Sequence, residues 1–318
     1  MTTEKPIRLF LSFGVPILMG SLLQQLYNVV DSMIVGRALG VNALAAVGSV
    51  GVLYFLVLDF VHGVCNGFSI PVSQSFGAGD TAAIRRHIAA AIWLSFWIGL
   101  FLTAVLLLLT KPFLIWIRTP EAVLTDAYRY IRLLFAGILI LFFYNLPASI
   151  LRALGDSKTP LTFLILSSFL NILLDLLFIV VLQKGTKGAA AATVLAQLFS
   201  GILCVFYMKR RFSEFFPKRG DWKLSAAEIQ TLLSMGIPQG LEFSFTSLGS
   251  IVLQSAVNSL GSAVVAAASI GGRLSSLFGE PMEALAITLG TYSGQNKGAG
   301  KTERIQSGIR QGLLLGAG

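Results

Sequence analysis

The sequence predicts an all-α, polytopic membrane protein. Its 318 residues are 55% apolar and 12% charged, about half the charged fraction of a soluble domain. Apolar runs long enough to cross a bilayer recur along the whole chain. The net charge of +9 comes mainly from short connections between these runs, as in cytoplasmic loops, so no nucleic-acid partner is expected.

Nine helices are expected in order. The N-terminus lacks a small-residue cleavage site, so the first apolar run is interpreted as an uncleaved helix. The helices are expected at about 9–35, 44–76, 84–109, 124–151, 161–182, 188–208, 229–260, 264–295 and from 304 onward. The ninth helix runs to the last residue, Gly318, so we expect a C-terminally truncated chain.

The distribution of Lys and Arg predicts the orientation. Connections on the side of the N-terminus carry about twice as many basic residues as the others, which indicates a cytoplasmic N-terminus. The densest basic run, residues 209–223, is interpreted as a cytoplasmic linker touching anionic lipid head groups; a regulatory binding site is the alternative. Cys65 and Cys204 lie inside apolar runs, so no disulfide framework is expected.

An internal repeat divides the chain. Gly14-Val15-Pro16 recurs as Gly236-Ile237-Pro238, and the segment 74–79 recurs as 295–300, about 220 residues later. Six helices separate corresponding points, so both copies enter the membrane in the same direction, a pattern typical of transporters. We therefore predict a first lobe at 1–208, the linker at 209–223 and an incomplete second lobe at 224–318.

Two carboxylates lie inside predicted membrane helices. An ionised Asp at a helix centre costs about 2.5–3.5 kcal/mol, so such a group usually serves an ion or substrate path. Asp31 and Asp175 follow Pro16 and Pro160 by the same number of residues, on helices that run the same way. The two carboxylates should therefore lie at equal heights, with Asn171 one helical turn from Asp175.

Thr193 and Tyr130 complete a cluster at this level, because both lie early in helices that start outside. Two close carboxylates can share one proton. Asp31, Asn171, Asp175 and Thr193 also offer oxygen ligands for Na⁺. The alternatives are that polar groups only hold the helices together, or that Asp31 lies near the outer surface.

The second copy carries further acids. Glu242 lies early in the seventh predicted helix, and Glu280 and Glu283 share the eighth with Arg273. An internal Arg–Glu pair is the simplest interpretation. Cation binding in a substrate cavity by Glu242 and Glu280 is the alternative.

Several enzymatic patterns are excluded. Residues 77–80 read GxGD, as in intramembrane aspartyl proteases, but the repeat has Lys301 in place of Asp80. His62 and His87 do not have zinc-site spacing, and there is no P-loop. We expect Asp59 to pair with His62, and His87 to be solvated in a loop. The protein is expected to be a transporter without cofactors rather than an enzyme.

The pattern resembles the multidrug and toxic compound extrusion (MATE) family, in particular its prokaryotic branch with the ion site in the N-terminal lobe. The resemblance covers essentially the whole chain and rests on the following residues: QQLYNVVDSMIVGRALG at 24–40, QSFGAGD at 74–80, AYRY at 127–130, RALGDSKTP at 152–160, NILLD at 171–175 and GQNKGAG at 294–300.

The resemblance implies a fold and an activity. It implies twelve helices in two six-helix lobes and antiport of cationic or amphiphilic compounds against Na⁺ or H⁺, by a monomer in a prokaryotic inner membrane. The ion site would fall on Asp31, Tyr130, Asn171, Asp175 and Thr193, and the first helix would bend near Pro16. The position of Glu242 does not match the acid that another branch uses in this helix.

Two other functions are weighed. A flippase for lipid-linked sugars, from the same wider superfamily, should line its cleft with Lys or Arg. Here embedded acids outnumber the one clearly embedded base, Arg273, which favours a cationic cargo. A non-transporting structural membrane protein would not need the buried acid cluster.

Overall fold

The protein is almost entirely α-helical. The computed structural model describes residues 1–117, 119–258 and 262–317, with the side chains of 250–252, 254–278 and 317 left aside. Ten α-helices occupy this part of the chain: α1 (Pro6–Leu39), α2 (Val41–Ala78), α3 (Thr81–Trp116), α4 (Glu121–Ala136), α5 (Ile138–Ala153), α6 (Lys158–Asp175), α7 (Thr186–Arg211), α8 (Ala226–Asn258), α9 (Ser262–Gly298) and α10 (Thr302–Ala317). This architecture confirms the predicted all-α membrane fold.

Five helices of the described chain are long and apolar enough to cross a membrane: α1, α2, α3, α6 with its extension to Val181, and α7. The pair α4 and α5, bent by 48°, would be a sixth span. The single helix expected at 124–151 is therefore wrong. The chain bends at Gly137, where a methyl group would lie 2.6 Å from Val194 of α7, so only glycine allows this approach.

Equivalent turns close the α2–α3 and α9–α10 pairs. Gly79 and Gly300 have φ values of +73° and +68°, a left-handed conformation that glycine adopts without strain. The Asp80 carboxylate accepts a hydrogen bond of 2.8 Å from the Ala83 N–H and so caps α3. The repeated segments 74–79 and 295–300 thus form equivalent turns. The sequence also repeats Leu39-Gly40 as Leu260-Gly261, and this second copy lies outside the described residues.

The most extensive packing between the two halves of the chain joins α2 to α8. Gly63 and Gly67 of α2 face Gly236 and Gly240 of α8. A methyl group on Gly63 would lie 2.5 Å from the Gln239 carbonyl oxygen, so the two backbones touch. Small residues four apart on both helices are a recurrent device for close helix crossing in membranes.

The linker docks on α3. The Arg85 Nε lies 3.0 Å from Asp221 and the Arg86 Nε lies 2.7 Å from Glu228. The Lys218 backbone N–H donates to the Asp221 carboxylate at 2.8 Å. That N–H, together with the Arg85 guanidinium, holds the pKa of Asp221 below its ordinary value.

The N-terminal segment makes a reciprocal contact with the second half. The Lys301 ammonium donates to the Thr2 carbonyl at 3.0 Å, and the Arg304 guanidinium donates to the Glu4 carbonyl at 2.6 Å. Basic residues of the first half thus bind the linker that precedes α8, and basic residues of the second half bind the segment that precedes α1. These contacts attach the N-terminal segment to the turn between α9 and α10.

Candidate functional site

Asp31 of α1 and Asp175 of α6 are brought together inside the first half of the chain. Asp175 is fully buried, Asp31 is partly buried, and their carboxyl groups lie within interaction range of each other. α1 packs against α6 along this stretch. The equal heights inferred from the sequence agree with this placement.

Five buried atoms of this cluster have no hydrogen-bond partner in the described part of the chain. They are Oδ1 of Asp31, both carboxylate oxygens of Asp175, and Oδ1 and Nδ2 of Asn171. Most buried polar groups in proteins are hydrogen-bonded, and an unpaired one costs about 1–3 kcal/mol. As carboxylates, Asp31 and Asp175 can only accept hydrogen bonds, so neither provides the donor that the other lacks.

The helix changes form directly after Asp175. Residues Leu176–Val181 make a π-helical segment, a form that is rare and often found at functional sites. Asn171 lies one turn before Asp175 and is 1% exposed, so both side chains point to the same interior face. The regular α-helix therefore ends at Asp175, and the π-helical segment begins with the next residue.

Thr193 and Tyr130 border the same region. The Thr193 hydroxyl lies 3.3 Å from the Tyr27 hydroxyl, and the Tyr130 side chain interacts electrostatically with Asp31 and Asp175. A cavity of about 40 Å³ is lined by Tyr27, Asn171 and Thr193, among others. This volume suits a water molecule, since a water occupies about 30 Å³ in the liquid. Neither Asp31 nor Asp175 lines this cavity, which lies beside the carboxylates on the side of Asn171 and Thr193.

Sequence reasoning missed several polar neighbours of the cluster. Tyr27, Ser167 and Gln197 lie four residues from Asp31, Asn171 and Thr193 respectively, and all three line the 40 Å³ cavity. Helical spacing places residues four apart on one face. A search for polar residues one helical turn before and after each predicted site residue would have found them.

The acids of the second half occupy other places. Glu242 accepts a hydrogen bond of 3.0 Å from Gln239 and lines a cavity of about 260 Å³ between α2, α5, α8 and α9. Glu283 lines the same cavity. Glu280 instead accepts a hydrogen bond of 3.0 Å from Gln25 of α1, and the Arg273 side chain lies outside the described residues.

Three expectations about charged residues are wrong. Asp59 does not pair with His62; it accepts a hydrogen bond from Ser247 of α8. His87 lies in α3, where its Nδ1 is 3.0 Å from the Ser75 hydroxyl, and not in a solvated loop. Arg152, one of the basic residues assigned from the sequence to the connections on the side of the N-terminus, lies instead in the last turn of α5 and lines two interior cavities.

No group of three or more His, Cys, Asp or Glu side chains suited to a metal is found among the described residues. A larger cavity of about 820 Å³ is lined by basic residues at the ends of α3, α4 and α7, including Lys111, Arg129 and Arg132. It contains none of the acids discussed above. Cys65 and Cys204 are buried free thiols, as expected.

Comparisons with known proteins identify the family of this chain. The MatE family profile matches residues 16–177 and 238–318. The probable multidrug resistance proteins YpnP and YoeA of Bacillus subtilis are 34% and 32% identical, over 92% and 95% of this chain. The chain spans 65% and 67% of their lengths.

A solved structure shares the fold. The crystal structure described as MATE in the bent conformation has a TM-score of 0.91 and 24% identity, covering 98% of this chain and 70% of the other. α1 of the present protein is one continuous helix through Pro16, so a bend at Pro16 stays a prediction. The resemblance to MATE proteins is confirmed, and the chain belongs to the MatE family.

Proposed function

We propose that the protein exports small cationic or amphiphilic compounds in exchange for Na⁺ or H⁺. The observation that supports this proposal best is the set of unpaired buried atoms on Asp31, Asn171 and Asp175. The names of its B. subtilis relatives, probable multidrug resistance proteins, agree with such an activity.

The acid cluster provides a coupling site. An ion or proton bound between Asp31 and Asp175 satisfies carboxylate oxygens that otherwise have no partner. Losing it leaves two like charges side by side in a region of low dielectric, which is unfavourable. Binding of the ion or proton therefore stabilises the packing of α1 against α6, and its release destabilises that packing. One charge crossing the membrane potential contributes about 2.3 kcal/mol per 100 mV to this cycle.

The residues fit Na⁺ as well as a proton. Carboxylates, an amide and a hydroxyl are the hard oxygen donors that such a cation binds, and Asp31, Asp175, Asn171 and Thr193 provide them. A shared proton needs only the two carboxyl groups. The donor set is compatible with both ions, so the experiment below separates them.

The location follows from the same arguments. We infer a multi-pass protein of a prokaryotic inner membrane, monomeric and surrounded by lipid, with its N-terminus in the cytoplasm. The excess of Lys and Arg on the N-terminal side supports this orientation.

Ethidium efflux from reconstituted vesicles tests the proposal. The protein is expressed from its whole gene, and Na⁺ and pH gradients are imposed separately. We expect an inward gradient of one of the two ions to accelerate efflux, and empty vesicles to show none. Efflux that is equal with and without either gradient would contradict coupling.

A further inference from the structure

Arg152 is a partly buried base that the coupling cluster does not use. It lies in the last turn of α5. Its Nη2 donates to the Ser149 hydroxyl at 2.8 Å and to the Asn66 side-chain oxygen at 3.3 Å. Its Nε is shielded from solvent and has no partner in the described chain, and the same holds for the Asn66 Nδ2.

In the described part of the chain, no carboxylate lies within ion-pair distance of this guanidinium. Ion pairs within 4.0 Å in the described residues are Arg85–Asp221 and Arg86–Glu228. Glu283 is near enough to act on Arg152 through space but lies beyond that distance. A charge without a counter-ion inside a protein is costly, so a nearby anion would be bound favourably.

The space around Arg152 is accessible to a ligand. Arg152 and Glu283 line both the cavity of about 260 Å³ and a second one of about 80 Å³ beside α1. Glu242 lines the larger of the two, and the Glu242 and Glu283 side chains are exposed to it. A guanidinium and two carboxylates thus face one cavity between the two halves of the chain.

We propose that this cavity binds amphoteric compounds, whose carboxylate is held by Arg152 and whose amine faces Glu242 and Glu283. Guanidinium groups bind carboxylates through charge-assisted hydrogen bonds, often two in parallel. The cavity volume is slightly below the roughly 300–1,000 Å³ that whole drug-sized ligands occupy. It therefore holds the charged end of a larger molecule.

This inference rests on the proposed export function but narrows its substrates. A purely cationic compound uses only the two carboxylates and leaves the guanidinium unpaired. A compound with both charges satisfies all three groups. The protein should therefore prefer a carboxylate-bearing amine over the same molecule with its carboxylate blocked.

Rhodamine 110 and rhodamine 123 test this preference. The second is the methyl ester of the first, so the pair differs in one carboxylate. Binding is measured by fluorescence anisotropy on purified protein in detergent, expressed from its whole gene, without any ion gradient. We expect Arg152→Gln to weaken rhodamine 110 binding about tenfold or more and rhodamine 123 binding less than about twofold, because only the former loses a charge-assisted contact.

Three further variants make the test decisive. Arg152→Lys keeps the charge and should retain part of the rhodamine 110 affinity. Glu283→Gln removes one of the two acids that face the amine, so it should weaken the binding of both dyes to a similar degree. If this variant instead lowers thermal stability and leaves both affinities unchanged, Glu283 is the counter-ion of Arg152 and the proposal fails. Arg129→Gln, an exposed Arg outside the cavity, should change neither affinity.

Failure of this inference can be told apart from failure of the export proposal. Equal weakening of both dyes by Arg152→Gln, or no weakening of either, overturns carboxylate binding even if ethidium efflux is ion-coupled. Selective loss of rhodamine 110 binding supports it, because the binding assay uses no gradient.

Discussion

The α2–α8 crossing should not tolerate a side chain at Gly67. A methyl group there would lie 2.5 Å from the Gly236 Cα and 2.6 Å from the Met235 carbonyl oxygen. Ordinary van der Waals contact begins near 3.4 Å, so the helices must separate by about 1 Å at this point. Overpacking of this kind costs about 1–3 kcal/mol.

Gly48 is the matched control for this substitution. It lies in the same helix, and a methyl group on it would meet nothing within 4 Å. Replacing a helical Gly by Ala without a clash stabilises by about 0.5–1 kcal/mol. The two variants, Gly67→Ala and Gly48→Ala, should thus change the free energy of unfolding in opposite directions, although each adds the same methyl group.

Thermal unfolding in detergent measures the difference. A change of 1 kcal/mol corresponds to a shift of about 2–4 °C for chains of 150–250 residues. We expect Gly67→Ala to lower the apparent Tm by several degrees, and Gly48→Ala to leave it unchanged or raise it slightly. Equal Tm values for both variants would refute the close crossing of α2 and α8.

Two further predictions concern charged residues. Glu242→Gln should slow efflux of cationic dyes relative to neutral ones, with its ion dependence intact, because Glu242 lies apart from Asp31 and Asp175; loss of coupling for every dye would contradict this. The pKa of Asp221 is lower in the folded protein than its ordinary value. The ionised carboxylate therefore stabilises the docked linker fully above the unfolded pKa of about 4, and this stabilisation is lost only as the pH falls below that value. Trypsin cleavage of the linker should therefore be constant from pH 6 to 8 relative to a reference peptide, and Asp221→Asn should accelerate it; unchanged cleavage in that variant would contradict the docking.

The helices and the polar cluster were predictable because their signals are local. Apolar runs fix the spans, and the rise per residue fixes the heights of Asp31 and Asp175 once both helices have a common start. Helical spacing then places Asn171 beside Asp175. None of these steps needs to know which helices are neighbours.

The contacts between the two halves of the chain were not predictable in this way. The sequence alone does not distinguish the glycine pairs of α2 and α8 from other small residues, because their role depends on which two helices are neighbours. Arg152 reads as a loop base because RALGDS looks like a cytoplasmic turn, yet α5 continues to Ala153 and turns the guanidinium inward. The bend at Gly137 depends on the approach of Val194, which is distant in sequence.

Coupled efflux by Asp31 and Asp175 variants tests the central claim most directly. Asp31→Asn, Asp175→Asn and the double variant are compared as efflux per folded molecule in vesicles, with Asp126→Asn as a control for the substitution itself. If both carboxylates hold one ion or proton, each single variant abolishes ion-driven efflux and the double variant is no worse, since the two contributions do not add. Membrane insertion should survive, because a neutral amide is easier to insert than a carboxylate. Normal coupled efflux by either single variant, at normal expression, would contradict the account.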